Sequence, residues 1–68
     1  MAEGFGNRLK ERRAELGLTQ AELAERCGVT RKTVNTVENG VFIPSTVLAL
    51  KLSRALSEPV ERLFWLEG

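Results

Sequence analysis

Apolar and polar residues repeat along most of this chain with the period of amphipathic α-helices. From about residue 7 the apolar positions recur three, four or seven residues apart, and Gly or Pro separates the runs. We therefore expect an all-α fold, a compact bundle of five short helices. The predicted bounds are about Asn7–Leu16, Gln20–Cys27, Arg31–Asn39, Thr46–Leu56 and Pro59–Phe64.

Residues suited to capping stand at the predicted helix starts. Asn7, Thr30 and Ser45 each carry a short side-chain oxygen that can accept a bond from a free backbone N–H. Thr19 and Glu22 form a T-x-x-E capping box. Glycine follows each of the first three predicted helices, as is common where a helix ends. These signals support the helix boundaries independently of the hydrophobic period.

Three segments lie outside the helical pattern. The first six residues contain two glycines and no period, so we expect a weakly ordered start. Residues 65–68 are predicted to be a tail. Between the third and fourth helices, Val41, Phe42 and Ile43 precede Pro44 as a short connector. The simplest interpretation puts Ile43 in the core, and leaves Phe42 either exposed or packed against the fourth helix or a partner.

Composition limits the class of protein. The 68 residues fit a single domain, expected to span residues 1–68 with a core from about 7 to 64. Without a signal peptide, and with one cysteine, the chain is expected to be cytoplasmic. Histidine is absent and no nucleophile lies beside a base, so we predict no enzyme activity, metal or cofactor. No small-molecule ligand is evident, and no apolar run is long enough for a membrane.

The segment QAELAERCGVTRKTVNTVEN, residues 20–39, has the organisation of a helix-turn-helix unit. Ala24 is small where two helices cross, and Gly28 can adopt the positive φ that a tight turn needs. All the positions that should pack inward are apolar: Leu23, Cys27, Val29, Val34 and Val37. The opposite face of the third helix is polar, with Lys32, Asn35, Thr36 and Asn39 directed away from its two valines.

These residues resemble the Cro/repressor-type (XRE-like) helix-turn-helix family of small bacterial and phage transcriptional regulators. The similarity lies in RLKERRAELGLTQAELAERCGVTRKTVNTVENG, from Arg8 to Gly40, and in the later LALKLSRAL and VERLF runs. It covers about Arg8–Phe64. The resemblance implies a lambda-repressor-like DNA-binding domain in which helices 2 and 3 form the helix-turn-helix and helix 3 enters the major groove.

The resemblance also implies roles for particular residues. The predicted base-reading residues are Arg31, Lys32, Asn35 and Thr36. The predicted DNA-backbone contacts are Thr19, Gln20, Thr30, Thr33 and Asn39, although the capping role is the favoured alternative for Thr19.

An ion pair and a loop complete the implied site. Arg13 and Glu38 stand where relatives have a partly buried structural ion pair that joins helix 1 to helix 3. The loop after Glu38-Asn39-Gly40 is basic or polar in many relatives but apolar here, which leaves backbone N–H groups as its possible phosphate donors.

The apolar end of the chain suggests a second interface. Val60, Phe64, Trp65 and Leu66 provide much apolar surface for a small protein. One interpretation is that Phe64 and Trp65 only cap a small core. The interpretation we favour is a homodimer interface, because regulators of this kind usually bind pseudo-palindromic operators as dimers.

The predicted function is a sequence-specific transcriptional regulator, most simply a repressor, that binds double-stranded DNA. The net charge of only +1 is unusual for a DNA-binding domain. It fits an alternative in which this fold serves as a protein-interaction module, such as an antitoxin, coactivator or anti-repressor. Cys27 is interpreted as a small buried hydrophobe rather than a redox switch.

Overall fold

A computed structural model describes residues 4–67 of the chain, which form five α-helices and one two-stranded antiparallel sheet. The helices are α1 (Leu9–Glu15), α2 (Gln20–Cys27), α3 (Arg31–Glu38), α4 (Thr46–Leu56) and α5 (Val60–Leu63). The strands are β1 (Gly4–Asn7) and β2 (Phe64–Glu67). The five-helix bundle is confirmed. None of the helices described is long and apolar enough to cross a membrane.

Side-chain caps begin the three longer helices. At α2, the Glu22 backbone N–H donates to Thr19 Oγ1 (3.0 Å) and the Thr19 N–H donates to the Glu22 carboxylate (2.8 Å). The N–H bond from Thr19 lowers the pKa of Glu22, because it favours the charged carboxylate. Thr30 caps α3 and Ser45 caps α4 in the same way. The capping signals in the sequence are therefore confirmed at these three helices.

Helix α1 begins two residues later than the sequence pattern suggests, because Asn7 belongs to a strand. Asn7 Oδ1 still accepts the Leu9 N–H at 3.1 Å, so its side chain covers a free donor at the start of the helix. Its Nδ2 donates to the Val37 carbonyl at 3.0 Å and links this corner to the end of α3. The predicted cap is thus present, but it acts from β1.

The two ends of the described chain pair with each other, so the expectation of a weakly ordered start was wrong for residues 4–6, and residues 65–67, predicted to be a tail, belong to a strand. Residues 1–3 and 68 lie outside the described residues. Gly6 lies opposite Trp65 and Asn7 lies opposite Phe64 in the antiparallel register. The Phe5 and Phe64 rings stack with centroids 5.7 Å apart. A Cβ on Gly6 would meet the Trp65 indole at 2.5 Å, so only glycine allows the indole to lie this close to β1.

The core lies between the helices and the start of β2. Its completely enclosed side chains come from every helix: Leu9, Leu23, Cys27, Val34, Val37, Leu52, Leu56 and Leu63. Ile43, which the sequence analysis placed in the core, is 66% exposed instead. Leu16, which ends the first predicted helix seven residues after Leu9 and would share its face, is 41% exposed. Leu16 follows the last residue of α1, so the helical period no longer directs it inward. Ile43 lies on the connector, outside any helix.

Candidate nucleic-acid interface

A tight turn connects α2 to α3 and sets the exposed face of α3. Gly28 ends α2 with φ +69°, and the Val29 N–H returns to the Ala24 carbonyl at 3.0 Å. Val34 and Val37 of α3 are each only 1% exposed because they pack into the core. With its two valines held inward, α3 presents the opposite, polar side to solvent.

The predicted base-reading residues lie together on this polar side. Arg31, Lys32 and Asn35 are exposed and line one shallow cleft. Within residues 4–67, neither Arg31 nor Lys32 takes part in an ion pair. Thr36 is half-buried, and its hydroxyl donates to the Thr33 carbonyl at 2.9 Å, so its methyl group is its remaining contact surface. The first turn of α3 therefore offers two uncompensated cations beside an amide.

The predicted phosphate-binding residues of α3 are bonded to their own helix. The Thr30 and Thr33 hydroxyls lie 3.1 Å apart at its N-terminal end. At the other end Asn39 Nδ2 donates to the Asn35 carbonyl (2.9 Å) and to Asn35 Oδ1 (3.2 Å). Thr30 and Asn39 thus flank the polar face while their side chains cap the two ends of α3.

A bidentate ion pair lies behind this face. Arg13 Nε is 2.6 Å from Glu38 Oε2 and Arg13 Nη2 is 3.2 Å from Glu38 Oε1. The two side chains are 14% and 2% exposed, and the bond to Glu38 raises the pKa of Arg13. Arg13 Nη1 also donates to the Leu18 carbonyl at 2.9 Å, so all three guanidinium nitrogens are bonded. The pair joins α1 to α3 and neutralises the carboxylate beside the polar face.

Gln20 and Thr19, the predicted phosphate contacts of α2, are also engaged within the chain. Gln20 Nε2 donates to Glu38 Oε1 at 3.0 Å, which leaves its second amide hydrogen free to bind a phosphate. The Thr19 hydroxyl is occupied by the capping box. The sequence analysis missed the contact between Gln20 and Glu38, since residues 18 positions apart carry no local spacing signal.

The connector 41–43 differs from its predicted role. The Val41 and Phe42 N–H groups both donate to the Thr36 carbonyl, at 2.9 and 3.2 Å. These two groups are therefore not free to donate to a phosphate, a possibility that the sequence analysis left open. They instead complete the hydrogen bonding at the end of α3. The apolar side chains of the connector point to solvent, with Val41 78% exposed.

Two further arginines bind groups of α1 and of the segment where α4 ends. Arg8 forms ion pairs with Glu58 (2.5 Å), Glu11 (3.1 Å) and Glu15 (3.2 Å), and these contacts raise the pKa of Arg8, the bond to Glu11 most of all. Arg12 Nε donates to the Leu56 carbonyl at 2.9 Å, where α4 ends. Sequence reasoning did not find these roles. One feature of the sequence could have pointed to the Arg12 contact: no glycine follows α4. The residue that ends this helix is Ser57, with φ +51°.

The predicted dimer residues fall into two groups. Phe64 is buried within its own chain and Val60 is half-buried against the core. Trp65 and Leu66 are exposed on β2, and Trp65 Nε1 donates to Glu67 Oε2 at 3.1 Å. The structure therefore leaves Phe64 little surface to offer to a partner. No group of potential metal ligands occurs in the described part of the chain.

Comparisons with known proteins agree with this geometry. The family model described as "Helix-turn-helix" matches residues 9–63. The chain is 49% identical over 61 residues to the HTH-type transcriptional regulator YgzD of Bacillus subtilis (strain 168), covering 90% of this chain and 92% of that one. It is 52% identical over 60 residues to an HTH-type transcriptional regulator of Methanothermobacter thermautotrophicus, with 87% of each covered.

Solved structures give the same result. The restriction-modification controller protein C.AhdI from Aeromonas hydrophila superposes with a TM-score of 0.75 at 39% identity. The P22 c2 repressor, solved in complex with a synthetic operator, superposes with a TM-score of 0.77 at 30% identity. Each superposition covers 79% of this chain and 82% of the solved chain.

Proposed function

This chain belongs to the helix-turn-helix family of transcriptional regulators, and on that premise we propose that it binds specific double-stranded DNA sequences with α3 in the major groove. It acts in the cytoplasm as a homodimer on a pseudo-palindromic operator, as a repressor without catalytic activity. The observation that carries this proposal is the exposed polar face of α3. Val34 and Val37 are buried, while Arg31 and Lys32 are exposed and have no carboxylate partner among residues 4–67.

Each base-reading residue has a matching group in the major groove. Arg31 or Lys32 can donate to O6 and N7 of guanine, and the Asn35 amide can pair with adenine. Thr36 presents its methyl group to thymine, since its hydroxyl is bonded to the Thr33 carbonyl. One well-formed bidentate contact discriminates against a wrong base by about 1–3 kcal/mol.

Phosphate contacts hold α3 in register. Gln20, at the start of α2, has one amide hydrogen left after its bond to Glu38. Thr30, Thr33 and Asn39 border the polar face from the two ends of α3. The N-terminus of α2 adds positive potential next to Gln20. These contacts are independent of sequence and account for general affinity.

One observation favours a second candidate function. The connector 41–43 exposes apolar side chains, which suits a module that binds another protein. Salt dependence separates the two functions. DNA binding weakens steeply as salt rises, since each neutralised phosphate adds to the slope. Binding through apolar side chains changes little with salt.

Selection of bound duplexes from a random DNA pool, followed by sequencing, tests the proposal. Arg31→Ala should broaden the preference at one base pair, because it removes a base contact. Gln20→Ala should weaken binding to all sequences alike, because it removes a phosphate contact. Arg26→Ala, an exposed arginine of α2, is the matched control for loss of charge. If Arg31→Ala and Gln20→Ala both lose affinity uniformly across the pool, α3 does not read bases.

A further inference from the structure

Two asparagine side chains are bonded to each other where α3 ends. Asn39 follows the last residue of α3 and lies one helical turn after Asn35, and both are exposed. Asn39 Nδ2 donates to the Asn35 backbone carbonyl at 2.9 Å and to Asn35 Oδ1 at 3.2 Å. The Asn39 backbone N–H donates to the same carbonyl at 3.1 Å. Asn39 is therefore anchored to Asn35 by its main chain and by its side-chain amide.

The bond to the carbonyl decides which atom of each amide lies where. A backbone carbonyl oxygen only accepts, so the Asn39 atom that faces it is the nitrogen Nδ2. That nitrogen only donates, so the Asn35 side-chain atom beside it is the oxygen Oδ1. The opposite orientation of the Asn35 amide would place two N–H donors against each other. The two bonds together therefore fix the rotation of the Asn35 amide in the protein without DNA.

We infer that Asn39 is a positioning residue for base recognition, because it holds the Asn35 amide so that Nδ2 meets the DNA base as a donor. The inference rests on the proposed function and names the residue that sets the base preference of Asn35. It also revises the predicted phosphate contact at Asn39. Both hydrogens of the Asn39 amide are used at the end of α3, and the remaining Oδ1 is an acceptor, which cannot bind a phosphate oxygen.

The surroundings of Asn35 agree with a donor role. Asn35 lines one cleft with Arg31 and Lys32, whose side chains carry donors and no acceptors. Within residues 4–67, Asn35 Nδ2 has no hydrogen-bond partner, since the bonds from Asn39 use the carbonyl and Oδ1. The cleft therefore presents donors to the major groove. The base edges that match it carry acceptors, which are N7 of either purine and O6 of guanine.

An amide held in this orientation has a definite base preference. Asn35 Nδ2 can donate to N7 of a purine, and the second lone pair of Oδ1 can still accept from the amino group of adenine. Cytosine presents an N4 amino donor in the groove, which would face another donor there. An amide that rotated freely could accept from cytosine as readily as it donates to a purine. By removing that alternative, Asn39 should sharpen the preference for a purine at one base pair.

The contact between the two amides matters more for recognition than for folding. A side-chain pair one turn apart on an exposed helix adds little stability, because water competes for the same bonds. In a groove from which water is displaced, a donor that faces a donor stays unpaired and costs far more. Base preference is therefore the readout that separates a positioning role from a merely structural one.

Two substitutions of Asn39 test the inference, with selection of bound duplexes from a random DNA pool as the readout. Asn39→Ala frees the Asn35 amide and should reduce the discrimination between purine and cytosine at one base pair by about 10-fold, the size of one base contact. Asn39→Asp introduces a carboxylate, which only accepts, so the Asn35 amide should turn Nδ2 toward it. Asn39→Asp should therefore shift the preference at that pair from a purine to cytosine. The added charge lowers affinity for all sequences alike and cancels in the ratio.

Three further variants are the controls. Asn35→Ala should lose the preference at the same base pair. Adding Asn39→Ala to Asn35→Ala should change no base preference further, since the positioned side chain is then absent. Gln20→Ala should lower affinity for all sequences alike, because it removes a proposed phosphate contact. Circular dichroism verifies that each variant is folded.

NMR of the free protein tests the amide pair without DNA. Both asparagines are exposed, but only the Asn39 amide donates hydrogen bonds at the end of α3. The side-chain NH₂ hydrogens of Asn39 should therefore exchange with water more slowly than those of Asn35. Equal exchange at the two side chains would overturn the inference.

The outcomes also separate this inference from the proposed function. If Asn39→Ala lowers affinity uniformly and keeps the wild-type base preference, Asn39 is a phosphate contact and the inference is overturned, while the proposed function stands. If wild type selects no sequence from the pool, the proposed function is overturned, and the positioning role of Asn39 with it. The wild-type selection alone therefore distinguishes the two failures.

Discussion

The arginines of α1 and the basic residues of α3 have opposite roles. Arg8, at the start of α1, and Arg12 and Arg13 within it bind the chain's own carboxylates and carbonyls. Arg31 and Lys32, in the first turn of α3, are exposed and lie outside every ion pair of residues 4–67. The same residue types therefore hold the fold together in one helix and are available to a ligand in the other.

This difference explains how a chain of net charge +1 can carry a DNA-binding surface. Total charge averages over paired and unpaired groups, whereas a phosphate backbone responds to the local field at the docking face. The paired arginines of α1 cancel carboxylates such as Glu58 and Glu38. The cations of α3 are not cancelled by a contacting carboxylate of residues 4–67. The distribution of partners, rather than the number of cations, locates the candidate interface.

Among tests of this comparison between α1 and α3, removal of Arg13 should have the largest effect. Arg13→Met leaves the carboxylate of Glu38, which is 2% exposed, without a charged partner. The free energy of unfolding should fall by about 3–5 kcal/mol, measured by urea denaturation. Lys32→Met on α3 is the control and should change it by less than about 0.5 kcal/mol. The variant carrying both Arg13→Met and Glu38→Met should recover much of the loss. Equal losses for Arg13→Met and Lys32→Met would contradict the comparison.

A smaller effect is expected at the other end of α1. Arg12→Met removes the donors to the Leu56 and Ser57 carbonyls, where α4 ends. We expect a loss of about 1 kcal/mol, since two partly exposed hydrogen bonds are lost with a favourable charge at a helix C-terminus. Thermal unfolding measures it. Lys10→Met, an exposed residue of α1, is the matched control. If Lys10→Met lowers the melting temperature as much as Arg12→Met does, Arg12 has no special structural role.

The smallest effect concerns the Glu22 carboxylate, which supports the fold chiefly through its hydrogen bonding with Thr19. The Thr19 N–H lowers the pKa of Glu22 in the folded chain below the ordinary value of 4.5. A depressed folded pKa contributes stability above the unfolded pKa and loses it as the pH falls through the folded value. Between about pH 5 and about pH 3, wild type should lose more stability than Glu22→Ala. Denaturation at both pH values measures this difference. Glu25→Ala on the same helix should retain the wild-type acid dependence, and an identical profile for all three proteins would contradict the assignment.

Local signals were sufficient for the helix-turn-helix unit and for α4. The bounds of α4, Thr46–Leu56, agree with the hydrophobic period and the Ser45 cap. The polar face of α3 also follows from the period, once Val34 and Val37 are buried. These features depend on neighbours within one or two helical turns, so spacing along the chain is enough to predict them.

Contacts between distant residues could not be predicted in this way. The sheet pairs Gly6 with Trp65, and strands of only four residues are too short to show an alternating pattern. The bond from Gln20 to Glu38 depends on how α2 and α3 cross. The exposure of Ile43 depends on the path of a connector that has no period of its own.

The sequence by itself determined which segments become helices, where α2, α3 and α4 are capped, and which side of α3 is polar. Helical period and capping are set by residues a few positions apart. Tertiary structure decided which cations are left without an ion pair among residues 4–67, that the two ends of the described chain form a sheet, and which apolar side chains of the connector 41–43, α4 and β2 stay exposed. These properties arise only when segments far apart in the chain come into contact, because burial and pairing belong to the assembled fold.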